Sequence, residues 1–227
     1  MKLFHSYETK IESSYIIQIQ GHSLSQALAD RCRQSCERVG QPVRLWNAVD
    51  GTSELNNPHD DSILRMVKIT NNFLSRSEVA CFLSHLSLWS HCAQIDKPIV
   101  ILEHDAIFVK PYIQHALYNS ISYLGCSEQM KQGWKVHPTP PHGSEGPGHH
   151  FILRAHAYSI DSAIARTLIA HTIRYGITES ADKFIRADVF PIHQFDLFAY
   201  DEPFETTIKN KHSDDKMLER RNDKLLK

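Results

Sequence analysis

The chain has no long apolar run. Its longest, of the kind seen at Ile99–Leu102, fall far short of the ~20 residues that a membrane-crossing helix needs. A membrane is therefore touched at most, not spanned. There is no C-x-x-C, and the five cysteines, Cys32, Cys36, Cys81, Cys92 and Cys126, are an odd number. Cys32 and Cys36 stand four apart on a predicted helix, which does not suit a disulfide, so the pattern predicts reduced thiols in a cytosolic protein. Met1 to Ser6 lacks the apolar segment of a signal peptide. Basic excess is missing too: 25 Lys+Arg stand against 26 Asp+Glu, a net charge of -1. Proteins held to nucleic acid by phosphate neutralisation are usually strongly basic. No internal repeat is visible. What is present is a 227-residue chain, 41% hydrophobic and 22% charged. That is enough for one large domain with its own core, and it excludes intrinsic disorder, collagen-like repeats and a disulfide-dependent miniprotein. The exception is histidine, with 15 residues, a side chain that serves as metal ligand, general base or pH switch. Most of the fifteen read as surface composition.

Local patterns predict an α/β chain. Tyr15 to Gln20 reads as a buried strand, and Ser25 to Val39 as a helix with Leu28, Cys32, Cys36 and Val39 on one face and Gly40 closing it. Val43 to Val49 reads as a second strand ended by the turn Asp50-Gly51. A β-α-β start opens a parallel sheet. Residues 52–74 are polar and turn-rich. Ser75-x-x-Glu78 is a capping box, and Val79, Phe82, Leu83, Leu86 and Trp89 follow at helical spacing, predicting a helix to about Gln94. Pro98 to Leu102 suits a central parallel strand buried on both faces. Gly133 to His150 holds four prolines, four glycines and four histidines, and reads as a long functional loop. His156 to Ile160 predicts a strand, Asp161 a cap, Ser162 to Arg174 a helix stopped by Gly176, and Leu197 to Tyr200 a late strand. From Lys209 onward the chain is a charged tail.

The sharpest chemical feature is Glu103-His104-Asp105, directly after the predicted central strand. Ligands of open α/β sheets bind outside the carboxyl ends of strands. A carboxylate-x-carboxylate there can hold Mg²⁺ or Mn²⁺ against a diphosphate, because hard oxygen ligands suit these ions. The same tripeptide is also what a solvated strand end looks like.

Several blocks together resemble glycosyltransferase family 25, the lipopolysaccharide-biosynthesis type of sugar transferase. They are Ala48-Val49-Asp50-Gly51 after the second strand; Leu74 to Trp89, with its Glu78, Cys81 and Ser84-His85; Ile101 to Asp105, where the family has Glu-Asp-Asp; Ala155 to Ala163; and Glu179 to Phe184. The likeness runs over about residues 14–205. It departs at His104, where the family has an acid, and at Ile19-Gln20, where the family commonly has Asn-Leu.

The resemblance implies a GT-A-like, Rossmann-type mixed sheet with flanking helices, one domain over residues 1–208 and a tail over 209–227. It implies an inverting, metal-dependent transferase that moves a sugar from a nucleotide-diphosphate donor to a glycan such as lipopolysaccharide core. Single displacement needs a base for the acceptor hydroxyl; Asp182 is the first candidate, with Asp188 and Glu179 behind it. Donor contacts fall to Asp50, Ser84, His85, Glu103 and Tyr158, and Mn²⁺ or Mg²⁺ ligands to Asp105, Glu103 and His193. His149-His150 could grip a diphosphate. The cytoplasmic side of a membrane is the expected place, with basic tail residues near anionic lipid. Two other readings stay open: a phage-type transferase acting on hydroxymethylated bases in DNA, and a non-catalytic nucleotide-sugar-binding module in which His104 marks a decayed metal site.

Overall fold

The computed structural model describes residues 11, 13–51, 62–112, 118–127, 152, 155–193 and 197–201. The Gly133–His150 loop, with His149-His150, and the tail from Lys209 lie outside the described residues.

The chain opens as β1 (Ser13–Gln18), α1 (Ser23–Arg38) and β2 (Val43–Asn47). A short helix α2 (Ser62–Met66) precedes the long helix α3 (Arg76–Ile95), and β3 (Ile99–Glu103) follows. Both reciprocal bonds of the Ser75/Glu78 capping box form at the start of α3, satisfying two backbone N–H groups that the helix cannot pair itself. Beyond β3 come β4 (Ala106–Phe108), β5 (Ile121–Tyr123), β6 (Gly125–Ser127) and β7 (Ala157–Ile160). Then come α4 (Ser162–Tyr175), α5 (Ala181–Phe184), β8 (Ile192–His193) and β9 (Ala199–Asp201). Asp161 caps α4 by accepting from Ile164 N–H at 2.8 Å. Gly176 ends it at φ 79°, where a Cβ would stand 2.6 Å from Thr70 Cγ2 and 2.7 Å from the Lys68 carbonyl.

The main sheet has the order β2-β1-β3-β7-β5-β8, and β4-β9-β6 form a second, smaller one. β1 is parallel to β2 on one side and β3 on the other. β7 lies antiparallel to both β3 and β5, and β8 is parallel to β5. The sheet is therefore mixed, as expected, and β3 is parallel to only one of its neighbours.

Alternation along the strands divides the core in two. Tyr15, Ile17, Ile99 and Ile101 face the layer of α3 and α4, with Phe82, Leu86 and Trp89. Ile16, Val100 and Leu102 face α1 and the small sheet, with Cys32, Cys36 and Phe108. β3 is buried on both faces, which is why its sequence is an unbroken apolar run. Among the described residues, no helix is long and apolar enough to cross a membrane.

Two differences from the sequence reading concern short elements. Residues 52–74 read as polar and turn-rich, with no element assigned; α2 and a parallel bridge between Ile69 and Ile177 lie there. The strands β4, β5, β6 and β8 are two or three residues long, too short for an alternation to show.

Candidate active site

β1 sits where the chain reverses direction across the sheet. It leads through α1 to β2 on one flank and has β3 on the other. A crevice opens at the carboxyl ends of such a pair of parallel strands. A cleft of about 810 Å³, open solvent included, occupies that place. Ile17, Ile19 and His22 line it from β1 and the start of α1, and Ala48 to Gly51 from the end of β2. Ser77, Ala80, Cys81, Ser84 and His85 line it from α3, and Glu103, His104 and Asp105 from the end of β3. Gly51 makes the β2 wall possible, since even a Cβ there would come 3.1 Å from Ala80 Cβ.

The Ser84-His85 pair holds this floor together. Ser84 is buried; its hydroxyl accepts from Val49 N–H at 2.9 Å and donates to the Ala80 carbonyl at 2.7 Å. It thereby ties the end of β2 to α3. His85 is fully buried and ties α3 to β3. Its Nε2 lies 3.1 Å from Glu103 Oε1, and its Nδ1 lies 2.8 Å from the Tyr158 hydroxyl. Trp89 Nε1–H donates to that same hydroxyl at 2.9 Å. An indole N–H can only donate, so the Tyr158 oxygen accepts from it, and the proton of this fully buried hydroxyl is given to its other partner, His85 Nδ1. The ring proton of His85 is then on Nε2 and is donated to Glu103. A buried chain of donors, Trp89 to Tyr158 to His85 to Glu103, fixes one carboxylate oxygen from behind.

Electrostatics follow from this burial. Burial holds His85 down to about pKa 4, against a smaller upward pull from Asp182. Burial also pushes Glu103 up to about 8, helped by the charges of Asp182 and Asp201 and opposed by the Cys81 thiol. The His85–Glu103 contact is thus a neutral hydrogen bond near pH 7, not an ion pair. Cys81 is pushed up by burial and by the charge of Glu103; it stays a thiol and donates to Glu103 Oε1 at 3.7 Å. His104 is held down to about 4 by burial and then by the charge of His22.

Among the described residues, Cys81, His85 and Glu103 bring possible metal-ligand atoms within 4.8 Å of one another. Both ring nitrogens of His85 are engaged, and the Cys81 thiol carries its proton. A soft ion could enter this group only by breaking the bonds that orient Glu103. A hard ion meets a better donor set in the carboxylates of Glu103 and Asp105, which line the cleft together.

The expected site residues divide accordingly. Asp50, Ser84, His85, Glu103 and Asp105 line the cleft. Asp182 joins the cluster from α5: its charge is felt at Cys81, His85 and Glu103, and Ser180 Oγ donates to its Oδ1 at 2.6 Å. Tyr158, expected to contact the donor, is fully buried behind His85 and orients rather than touches. Asp188 is half-exposed and held by both oxygens to Arg186, at 2.6 and 2.5 Å. Glu179 acts on Arg186 rather than on the cleft cluster. His193 stands on β8, three strands from β3 and so about 14 Å away across the sheet. It does not meet Glu103 and Asp105 in one coordination sphere, because β7 and β5 intervene.

Two acids or thiols escaped the sequence reading. Cys81 was seen only as part of a helix pattern. Asp201 is buried at the end of β9, paired across to Ala106 and next in line to Asp105. The signal was Ala199-Tyr200-Asp201, an apolar strand ending in an acid like Ile101-Leu102-Glu103.

The family model described as Glycosyltransferase family 25 (LPS biosynthesis protein) matches residues 14–136. This range contains the whole cleft. One solved structure, of a glycosyltransferase involved in the glycosylation of the major capsid of PBCV-1, is similar at 6% identity with a TM-score of 0.43. That likeness covers 94% of this chain and 98% of the other. No curated protein matches the chain.

Proposed function

The chain belongs to glycosyltransferase family 25, and from that premise we propose that its cleft carries out a metal-assisted single displacement on a nucleotide-diphosphate sugar. The observation that carries the proposal is the convergence of Glu103, Asp105 and the charge of Asp182 on one cleft at the β1/β3 strand ends. A GT-A-type donor site of this kind takes the nucleoside between β1 and β2, with Asp50 on its wall. The diphosphate lies toward β3.

Glu103 and Asp105 would hold the divalent ion, which when bound neutralises charge on the departing diphosphate. The chain's own groups supply the rest. His85, locked by Tyr158, keeps Glu103 Oε1 turned inward. Asp182, oriented by Ser180, takes the proton from the acceptor hydroxyl as its oxygen attacks the anomeric carbon. The bond from that carbon to the diphosphate breaks, the electron pair leaves with the nucleotide, and the anomeric configuration inverts. The acceptor is a glycan, in line with the family's description as lipopolysaccharide biosynthesis proteins. The near-zero net charge gives a DNA acceptor no support.

The test is a panel of sugar nucleotides assayed for nucleoside diphosphate release with Mn²⁺, first with water and then with glycan acceptors. Turnover of one donor, lost in Asp182→Asn with donor binding retained, is the expected result. Turnover that survives Asp182→Asn removes Asp182 from the base role.

A further inference from the structure

His104 marks the departure from the family pattern, and the structure shows what its ring does. It shares the cleft with His22, the cap of α1. Both rings are held by one residue, Ser25. The Ser25 backbone N–H donates to His22 Nδ1 at 3.3 Å. The Ser25 hydroxyl accepts from Ile19 N–H at 2.9 Å and lies 3.1 Å from His104 Nδ1. Ser25 is fully buried, so its single hydroxyl proton is given to the acceptor that the structure offers, His104 Nδ1. In both rings Nδ1 therefore accepts, and the ring proton sits on Nε2.

This tautomer decides the chemistry. To ligate a cation through Nε2 the ring must move that proton to Nδ1, which breaks the bond from the Ser25 N–H in His22 and takes from the buried Ser25 hydroxyl proton its acceptor in His104. The ring is a donor, suited to an anion. His104 thus brings to the cleft a donor for an anion, between the two carboxylates that suit a cation. We infer that His22 and His104 form a direct diphosphate grip, their two Nε2–H groups donating to diphosphate oxygens without a metal between. The inference rests on the donor-site reading above for the identity of its ligand.

The test uses inorganic pyrophosphate as probe and isothermal titration calorimetry in EDTA. Two variants keep the internal bonds and remove the Nε2 donor. His22→Ser retains a side chain able to cap α1, and His104→Asn retains an acceptor for the Ser25 hydroxyl. Each is expected to weaken pyrophosphate binding by about 10- to 100-fold, the value of a hydrogen bond to a charged group. The melting temperatures are expected to stay near that of the unaltered protein, which separates loss of the grip from loss of the fold. Pyrophosphate binding that needs Mn²⁺, or that both variants leave unchanged, overturns the inference. If the grip behaves as stated but no sugar nucleotide is turned over, the donor-site reading fails and the anion site stands. If turnover is found while pyrophosphate binds only with metal, the grip fails and the transferase stands.

Discussion

Tyr158→Phe tests the buried donor chain with the least disturbance to packing. The ring stays, and one oxygen is lost from a site with no exposure. That oxygen serves Trp89 Nε1–H at 2.9 Å and His85 Nδ1 at 2.8 Å. Removing it strands two buried polar groups at about 1–3 kcal/mol each, so the cost is roughly 2–6 kcal/mol against a total stability of about 5–15 kcal/mol. For a chain of this length, at about 2–4 °C per kcal/mol, that corresponds to a fall in Tm of roughly 4–24 °C. The consequence for the cleft is separate. Without the phenolic proton, nothing holds the His85 proton on Nε2, and Glu103 loses its fixed donor. Turnover should fall by about tenfold, roughly one lost hydrogen bond to a group that must be placed, with donor KM little changed. Differential scanning calorimetry and steady-state assays read the two effects. A Tyr158→Phe protein that melts within about 1 °C of the unaltered one, where one stranded group alone should cost more, refutes the placing of Trp89 and His85 on one buried hydroxyl.

The other expectations are more local. Ser75→Ala removes the cap of α3 and should cost about 1 kcal/mol, seen as a Tm lower by roughly 2–4 °C. Gly176→Ala places a methyl group against Thr70 and the Lys68 carbonyl at positive φ; it should destabilise by more than about 1 kcal/mol, read by urea unfolding. The raised pKa of Glu103 carries a sign. A carboxyl whose folded value lies above its unfolded one lends stability that is complete below pH 4.5 and is lost as pH rises toward about 8. In EDTA, Tm should therefore decline across that window, and Glu103→Gln should flatten the decline. An equal decline in the variant would assign it to another group.

Much of this architecture was legible because its signals are strong and local. The Ser75/Glu78 box and the apolar stripe of α3 fixed the long helix, and the unbroken Ile99–Leu102 run placed β3 at the centre. Asp161 and Gly176 bounded α4. The cleft was legible where its residues are contiguous, as in Ala48–Gly51 and Glu103–Asp105. Residues brought in from a distance were not. Asp201 comes to the end of β3 only through the β4–β9 pairing, opposite Ala106, and Tyr158 was read as a ligand contact because a sequence cannot show that Trp89 and His85 enclose its hydroxyl. His193 looked suited to metal because its separation from β3 depends on the order of strands too short to recognise. What holds the His104 ring was not legible, because its bond with Ser25, 79 residues away, is a tertiary fact.

In the proposed reaction, the β1/β3 cleft transfers sugar from a nucleotide donor by way of the carboxylates at the end of β3. Its most direct measurement is nucleoside diphosphate release from a sugar-nucleotide panel by the unaltered protein and by Asp105→Ala, each with Mn²⁺ and each checked for an unchanged melting transition. Turnover of at least one donor, and its loss in Asp105→Ala with the fold intact, are the expected results. Equal turnover by the two proteins would contradict it.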